Sequence, residues 1–292
     1  MSISPTAFLL ASDPDADRLA VAQRETKSSP WRVFTGNECG ALLGFWAWKN
    51  WKKANPGKSG ENCYMLCSTV SSMVLKAIAD KEGFRFEDTL TGFKWMGNRA
   101  DELIKEGKEV LFAYEEAIGF MYGSAVLDKD GVSAAAVFAE MVDNLGEKSL
   151  TQQLSEIYDT YGWHVTNNSY FISHDKSKTN EMFQRIQNEY PKSLGRFGIS
   201  GIRDLNKGFD SREDGNKAKL PTQSTHMITF YFENGATVTL RTSGTEPKIK
   251  YYCEMVAGSR AEVEGDIKDL VDLIKSEWYQ PEKYGFIARK ED

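Results

Sequence analysis

The sequence predicts an α/β chain whose last part turns to α+β. Three observations carry this reading. Apolar strand-like runs alternate with helix-period segments through residues 60–165, the pattern of βαβ units and a largely parallel sheet. An apolar run at 7–11 ends in an acidic loop. Beyond 166, two strand-like runs flank Glu233-Asn234-Gly235, and Asn-Gly is a hairpin signal.

In chain order, Ala7-Phe8-Leu9-Leu10-Ala11 reads as a buried strand and Leu19-Ala20-Val21-Ala22 as a second. A helix follows Gly36-Asn37, with Leu42, Leu43, Trp46 and Trp48 as core or packing residues. Residues 54–62 form a Pro/Gly/Ser linker. Strands are expected at 63–66, 84–86 and 110–114. A helix after Ser71-Ser72 ends at Gly83, and one over 132–145 is capped by Asp130. The last part offers strands at 165–172, 227–232, 236–241 and 249–256 and a helix over 179–190. A final helix starts after Ser259, with Glu262 completing a capping box.

Composition sets the limits. The chain of 292 residues can hold two or three domains, and 41% apolar residues supply ordinary cores. A formal net charge of −6 argues against a general nucleic-acid or membrane-surface binder. No apolar run approaches a membrane span. Together with the absence of a basic, signal-like start, this gives an expectation of a soluble, cytoplasmic protein. Cys39, Cys63, Cys67 and Cys253 form no zinc spacing, and His164, His174 and His226 sit in no motif, so Cys/His or Ser/His catalysis has no support.

The most informative stretch is Ser12-Asp13-Pro14-Asp15-Ala16-Asp17-Arg18. Three carboxylates in five residues repel one another, a divalent cation removes the repulsion, and hard oxygen ligands suit Mg²⁺. The alternative is a solvated acidic turn. An EF-hand reading fails, because its glycine and glutamate positions hold Arg18 and Arg24. A haloacid-dehalogenase reading wants Thr or Val at Asp17. Its late acids would be Asp266 and Asp269, which fall on an amphipathic helix marked by Val263, Ile267, Leu270 and Ile274. Gly57-Lys58-Ser59 lacks the earlier glycine of a P-loop.

A second constellation is Arg241-Thr242-Ser243-Gly244-Thr245-Glu246-Pro247-Lys248, between two strands. Glycine lets backbone N–H groups converge on an anion, and arginine grips phosphate with two bonds. A polar turn with a basic edge is the plainer alternative.

With these motifs the chain resembles the α-D-phosphohexomutases over nearly its whole length, most of all the eukaryotic phosphopentomutase/phosphoglucomutase type two branch with glucose-1,6-bisphosphate synthase. The acidic stretch is similar to the family's metal loop. Thr91-Gly92-Phe93-Lys94-Trp95-Met96-Gly97-Asn98 is similar to its hinge loop, and Glu115-Glu116-Ala117-Ile118-Gly119 to its sugar-binding loop. Asp128-Lys129-Asp130-Gly131 is similar to a substrate-contacting stretch, and 241–247 to the phosphate-binding loop.

The resemblance implies mixed-sheet domains. These are a partial second domain over 1–55, a third over 56–165 and a C-terminal phosphate-binding domain over 166–292. It also implies roles. Asp13, Asp15 and Asp17 would hold Mg²⁺, with Arg18 and Lys129 near the moving phosphoryl group. Glu115, with Thr91 and Gly92, would contact the sugar. Arg241, Ser243, Gly244 and Thr245 would hold the other phosphate of a phosphorylated pentose or hexose.

The implied activity is a phosphosugar mutase working through a bisphosphate intermediate. A bisphosphate synthase and a noncatalytic binding fragment are the alternatives. Two features depart from the family. Ala117 stands where many relatives have serine, and no Ser-His-Asn-Pro occurs. The expectation is a fragment, partial gene product or truncated isoform that lacks the phosphoserine nucleophile.

Overall fold

A computed structural model describes residues 7–24, 26, 28–244 and 246–289. The chain forms two compact units, Met1–Gly162 and Trp163–Asp292.

The first unit opens with strands β1 (Ala7–Ser12), β2 (Leu19–Arg24) and β3 (Arg32–Phe34), an antiparallel sheet in that order. The strand at 7–11 is present but not buried, with Phe8 38% and Leu9 48% exposed. It is the edge of its sheet. An apolar run marks a strand without saying how many of its faces are covered. The acidic loop therefore ends a hairpin arm and does not sit at the end of a parallel strand.

Helix α1 (Gly36–Ala54) starts at Thr35, whose hydroxyl accepts from the Glu38 N–H while Glu38 accepts from the Thr35 N–H. It buries Leu42, Leu43, Trp46 and Trp48, as expected of core residues. Then come β4 (Cys63–Ser68), α2 (Val74–Glu82), β5 (Arg85–Thr89), α3 (Phe93–Lys105), β6 (Glu109–Glu115) and β7 (Gly119–Tyr122). The sheet order is β5-β4-β6-β7. The first three strands are parallel and β7 is antiparallel, so the sheet is mixed. Most of the hinge-like stretch after Gly92 is the first part of α3. Phe93, Met96, Ala100 and Leu103 pack it on Leu66, Val110, Ala113 and Met121. Helix α4 (Gly131–Leu145) is capped by Asp130 as the sequence indicates, and α5 (Leu150–Tyr161) by a Ser149/Gln152 box.

In the second unit, β8 (Trp163–Ile172) is followed by α6 (Lys176–Asn188), capped by Asp175 and so starting three residues before the expected 179. Short strand β9 (Ser193–Leu194), then β10 (Phe197–Asp204), β11 (Phe209–Asp210), β12 (Met227–Phe232), β13 (Thr237–Thr242) and β14 (Lys248–Ala257) follow. Helix α7 (Arg260–Leu273), a π-helical turn at Ile274–Tyr279, short α8 (Pro281–Tyr284) and β15 (Ile287–Ala288) end the unit.

The sheet order is β11-β10-β12-β13-β14-β8-β15, with β9 against β10. The Asn-Gly hairpin joins β12 and β13, with Gly235 at φ 82°. One sheet face, through Ile228, Phe230, Val238, Leu240 and Ile249, shares a core with Met182, Phe183, Val263 and Ile267 of α6 and α7. The expected Ser259/Glu262 box does not form, for Ser259 caps no N–H with its side chain. Asp266 and Asp269 pair with Arg196 on the surface, as a solvated helix face would.

Candidate functional site

In the first unit the acidic loop spans from Ser12 to Leu19, which face each other across the hairpin. The Ala16 N–H donates to Asp13 O, with Ala16 at φ 57°, and the Arg18 N–H donates to Asp13 Oδ1 at 3.1 Å. This fold-back turns alternate side chains inward. One carboxylate oxygen from each of Asp13, Asp15 and Asp17 lies within 4.8 Å of the others.

Two cations meet this cluster. Arg18 Nη1 lies 3.2 Å from Asp13 Oδ2 and 3.4 Å from Asp17 Oδ1, and Lys129 Nζ lies 2.7 Å from Asp17 Oδ2. Desolvation works against Asp13's charge, but the Arg18 amide and guanidinium outweigh it and hold the carboxyl below its ordinary value. The hydrogen bond to Asp17 raises the Lys129 pKa, so its ammonium stays charged. Three converging hard oxygen donors fit Mg²⁺.

The sugar-loop motif lies against this cluster. Glu115 ends β6 and Gly119 starts β7, with Glu116–Ile118 as the turn between them. Gly119 bridges to Arg18, and the Leu19 N–H donates to Ile118 O at 3.1 Å. Glu115 is buried, at 9% exposure. Burial raises its pKa first and Glu116 second, against the pull of Lys129, Arg18 and the Gly92 N–H. Gly92, at φ 102°, is the N-cap of α3, so that helix end faces the Glu115 carboxyl. Thr91, half-buried, precedes it.

Lys129 comes from the loop ahead of α4. That loop is tied down by Asp130 N–H to Phe120 O at 2.9 Å and Gly131 N–H to Ala16 O at 3.1 Å. Gly131 has no room for a side chain. A Cβ there would lie 2.3 Å from Arg18 O and 2.7 Å from Ala16 O. Asp13, Asp15, Asp17, Arg18, Gly92, Glu115 and Lys129 thus converge in one unit. The sequence reading gave no supporting role to Gly36 and Gly131, which a Cβ would drive into neighbouring carbonyls, or to Ser68 and Ser71, which hydrogen-bond Glu116. A run of small hydroxyl residues after a parallel strand was the available signal for the serines.

In the second unit Arg241 and Lys250 lie directly opposite in the β13–β14 ladder. Arg241 alternates with core Leu240, so both cations sit on the face away from the helices. Like charges placed so repel, and the Glu246 carboxylate, which interacts with Lys250, offsets part of that cost. Ser243 N–H donates to Lys248 O at 2.8 Å and its hydroxyl accepts from Glu246 N–H at 3.3 Å, which closes the loop. Gly244 does not use the left-handed region that an anion-binding nest would draw on, but the space where its Cβ would stand is open. Thr245 lies outside the described residues. On the helix side a cavity of about 500 Å³ is lined by Thr242, Ser243, Gly244, His174, Asn180 and His226 among others, and Arg241 is not part of its wall.

Comparison with known proteins gives these sites a setting. Residues 35–161 match the phosphoglucomutase/phosphomannomutase α/β/α domain III. The chain is 54% identical to a phosphopentomutase of Homo sapiens over 290 residues, 95% of this chain and 47% of that protein. It is 50% identical to a glucose 1,6-bisphosphate synthase of Mus musculus, over 97% of this chain and 47% of that one. The crystal structure of the phosphoglucomutase parafusin from Paramecium shares the fold, with a TM-score of 0.59 at 19% identity, covering 92% of this chain and 45% of that one. The chain spans about half the length of the curated relatives it matches. It is related to the α-D-phosphohexomutases, as its motifs imply, and most of its length corresponds to theirs.

Proposed function

We propose that the chain carries the metal, sugar and phosphate sites of a phosphosugar mutase of the phosphopentomutase/phosphoglucomutase kind. The reaction moves a phosphoryl group between the 1-position and the 5- or 6-position through a sugar bisphosphate. The observation that carries this reading is the convergence of the three aspartates with Arg18, Lys129 and Glu115. Residues 1–55, 56–165 and 166–292 are taken as the partial second, the third and the fourth domain of this family. Four free, buried cysteines support a reducing, cytoplasmic setting. No helix among the described residues is long and apolar enough to cross a membrane.

Asp13, Asp15 and Asp17 would hold Mg²⁺, which when bound supplies positive charge at a phosphoryl oxygen. Arg18 and Lys129 orient and neutralise the phosphoryl group from the protein side, as loose phosphoryl transfer requires. Glu115 is a buried acceptor for sugar hydroxyls, with Thr91 and Gly92 beside it. In the second unit Arg241, Ser243, Gly244 and Thr245 are the candidates for the phosphate that is not moving. With no Ser-His-Asn-Pro in these 292 residues, the chain by itself binds substrate without turnover. The similarity to a glucose 1,6-bisphosphate synthase supports a second reading, with the same site served by another phosphoryl donor.

The test is a calorimetric Mg²⁺ titration of the parent chain and Asp15→Ala. The expected outcome is weak binding by the parent and none by the variant. Equal heats from both proteins remove the metal from this loop.

A further inference from the structure

The turn that follows Glu115 is strained. Ile118 sits at φ 55°, where a β-branched residue is an outlier. Such a conformation persists only where its surroundings over-determine it.

Those surroundings are visible. The Glu116 N–H donates to Ser71 Oγ at 3.0 Å. Ser71 Oγ and Ser68 Oγ are 2.8 Å apart, and Ser68 Oγ donates to Glu116 Oε2 at 3.0 Å. Each hydroxyl has one proton. The count closes as a ring from Glu116 amide to Ser71, to Ser68, and back to the Glu116 carboxylate. The 3.3 Å contact from Ser71 to the same oxygen is an alternative use of the single Ser71 proton and not a further bond in the ring. Ser68 is 0% and Ser71 5% exposed, so water competes little for these bonds. Ser68 ends β4 and Glu116 follows β6, so the ring ties together the ends of two neighbouring parallel strands. Gly36 closes the other side, for a Cβ there would lie 2.1 Å from Glu116 O and 2.9 Å from Ile118 N.

We propose that Glu116, Ser68 and Ser71 are positioning residues. Their hydrogen-bonded ring holds the turn after Glu115 in the shape that receives the sugar, and Glu116 itself does not touch the sugar. The proposal rests on the phosphosugar reading above. Glu115 and Glu116 differ in task because adjacent residues at a strand end point opposite ways, one toward Lys129 and one back to the serines.

The experiment titrates ribose 5-phosphate and, separately, inorganic phosphate into the parent chain and three variants: Ser68→Ala/Ser71→Ala, Glu116→Ala and Glu116→Gln. Amide hydrogen exchange at Glu116 and Leu19 is followed alongside, and single serine variants replace the double if it does not fold. The double variant and Glu116→Ala are expected to lose about tenfold in ribose 5-phosphate affinity, the scale of one buried hydrogen bond, and nothing for inorganic phosphate. Glu116→Gln keeps an acceptor oxygen for the ring and should recover most of the loss, a rescue that loss of bulk packing alone does not predict. Exchange at the Glu116 amide should speed about tenfold without Ser71.

Parent-like ribose 5-phosphate affinity in the double variant overturns the proposal, as does a Glu116→Gln chain no better than Glu116→Ala. A parent chain that ignores ribose 5-phosphate overturns the phosphosugar reading itself, and parent-like exchange in the serine variants then overturns the anchor as well.

Discussion

Gly131→Ala tests the packing on which the metal loop depends. The new methyl would meet Arg18 O at 2.3 Å and Ala16 O at 2.7 Å, against ordinary contact from 3.4 Å. The two carbonyls, or the start of α4, must therefore give way by about 1 Å, and such overpacking costs about 1–3 kcal/mol. Alanine at a helix position otherwise open to it returns roughly 0.4–1 kcal/mol. The net is roughly 0–2.6 kcal/mol of destabilisation, about 1.3 at the midpoints, or roughly 3–5 °C in Tm for a unit of this size. The displaced carbonyls belong to the loop that carries Asp15 and Asp17. Because Mg²⁺ demands near-ideal octahedral geometry, its affinity should fall by about tenfold or more. Differential scanning calorimetry and a Mg²⁺ titration on the same samples read both effects. A variant with parental Tm and parental Mg²⁺ affinity refutes the reasoning.

Arg241→Ala should weaken ribose 5-phosphate binding by about 1.5–3 kcal/mol, the range for a hydrogen bond to a charged group, and calorimetry checks it. Glu115 bears a carboxyl whose pKa is raised, by burial first and Glu116 second. The folded chain therefore binds that proton more tightly than the unfolded chain. Its contribution to stability declines as pH rises from the ordinary carboxylate value of about 4.3 through the raised one. Glu115→Gln should accordingly raise Tm at pH 7 and lose that advantage below about pH 4, while giving up sugar-phosphate affinity. Ala117 is exposed in the turn after Glu115, and Ala117→Ser should shift the affinity ratio toward glucose 6-phosphate over ribose 5-phosphate.

The acidic loop was legible because three aspartates at alternate positions need no tertiary information to be noticed. The capping of α4 by Asp130 and the Asn-Gly hairpin were legible for the same local reason. Helix α3 was present in the letters, at Phe93, Met96, Ala100 and Leu103, but the resemblance to a hinge loop drew the reading elsewhere. The Ser259/Glu262 pair looks like the working Ser149/Gln152 pair and yet forms no box, since a capping motif fixes the opportunity and the local backbone decides. What supports the site was not legible. Gly36 and Gly131 are ordinary glycines in sequence, and only the carbonyls of Glu116, Arg18 and Ala16, brought in from distant elements, exclude a side chain there. The exposure of β1 and the placing of Arg241 beside Lys250 likewise depend on strand neighbours that periodicity does not name.

The central claim is that this chain holds a site for a phosphorylated sugar. Its most direct test is calorimetric titration of the parent chain, with Mg²⁺ present, by glucose 1-phosphate and ribose 5-phosphate against free glucose and ribose. Measurable binding of the phosphorylated sugars and none of the free ones is the expected result. Equal binding of the two classes, or binding of neither, contradicts it.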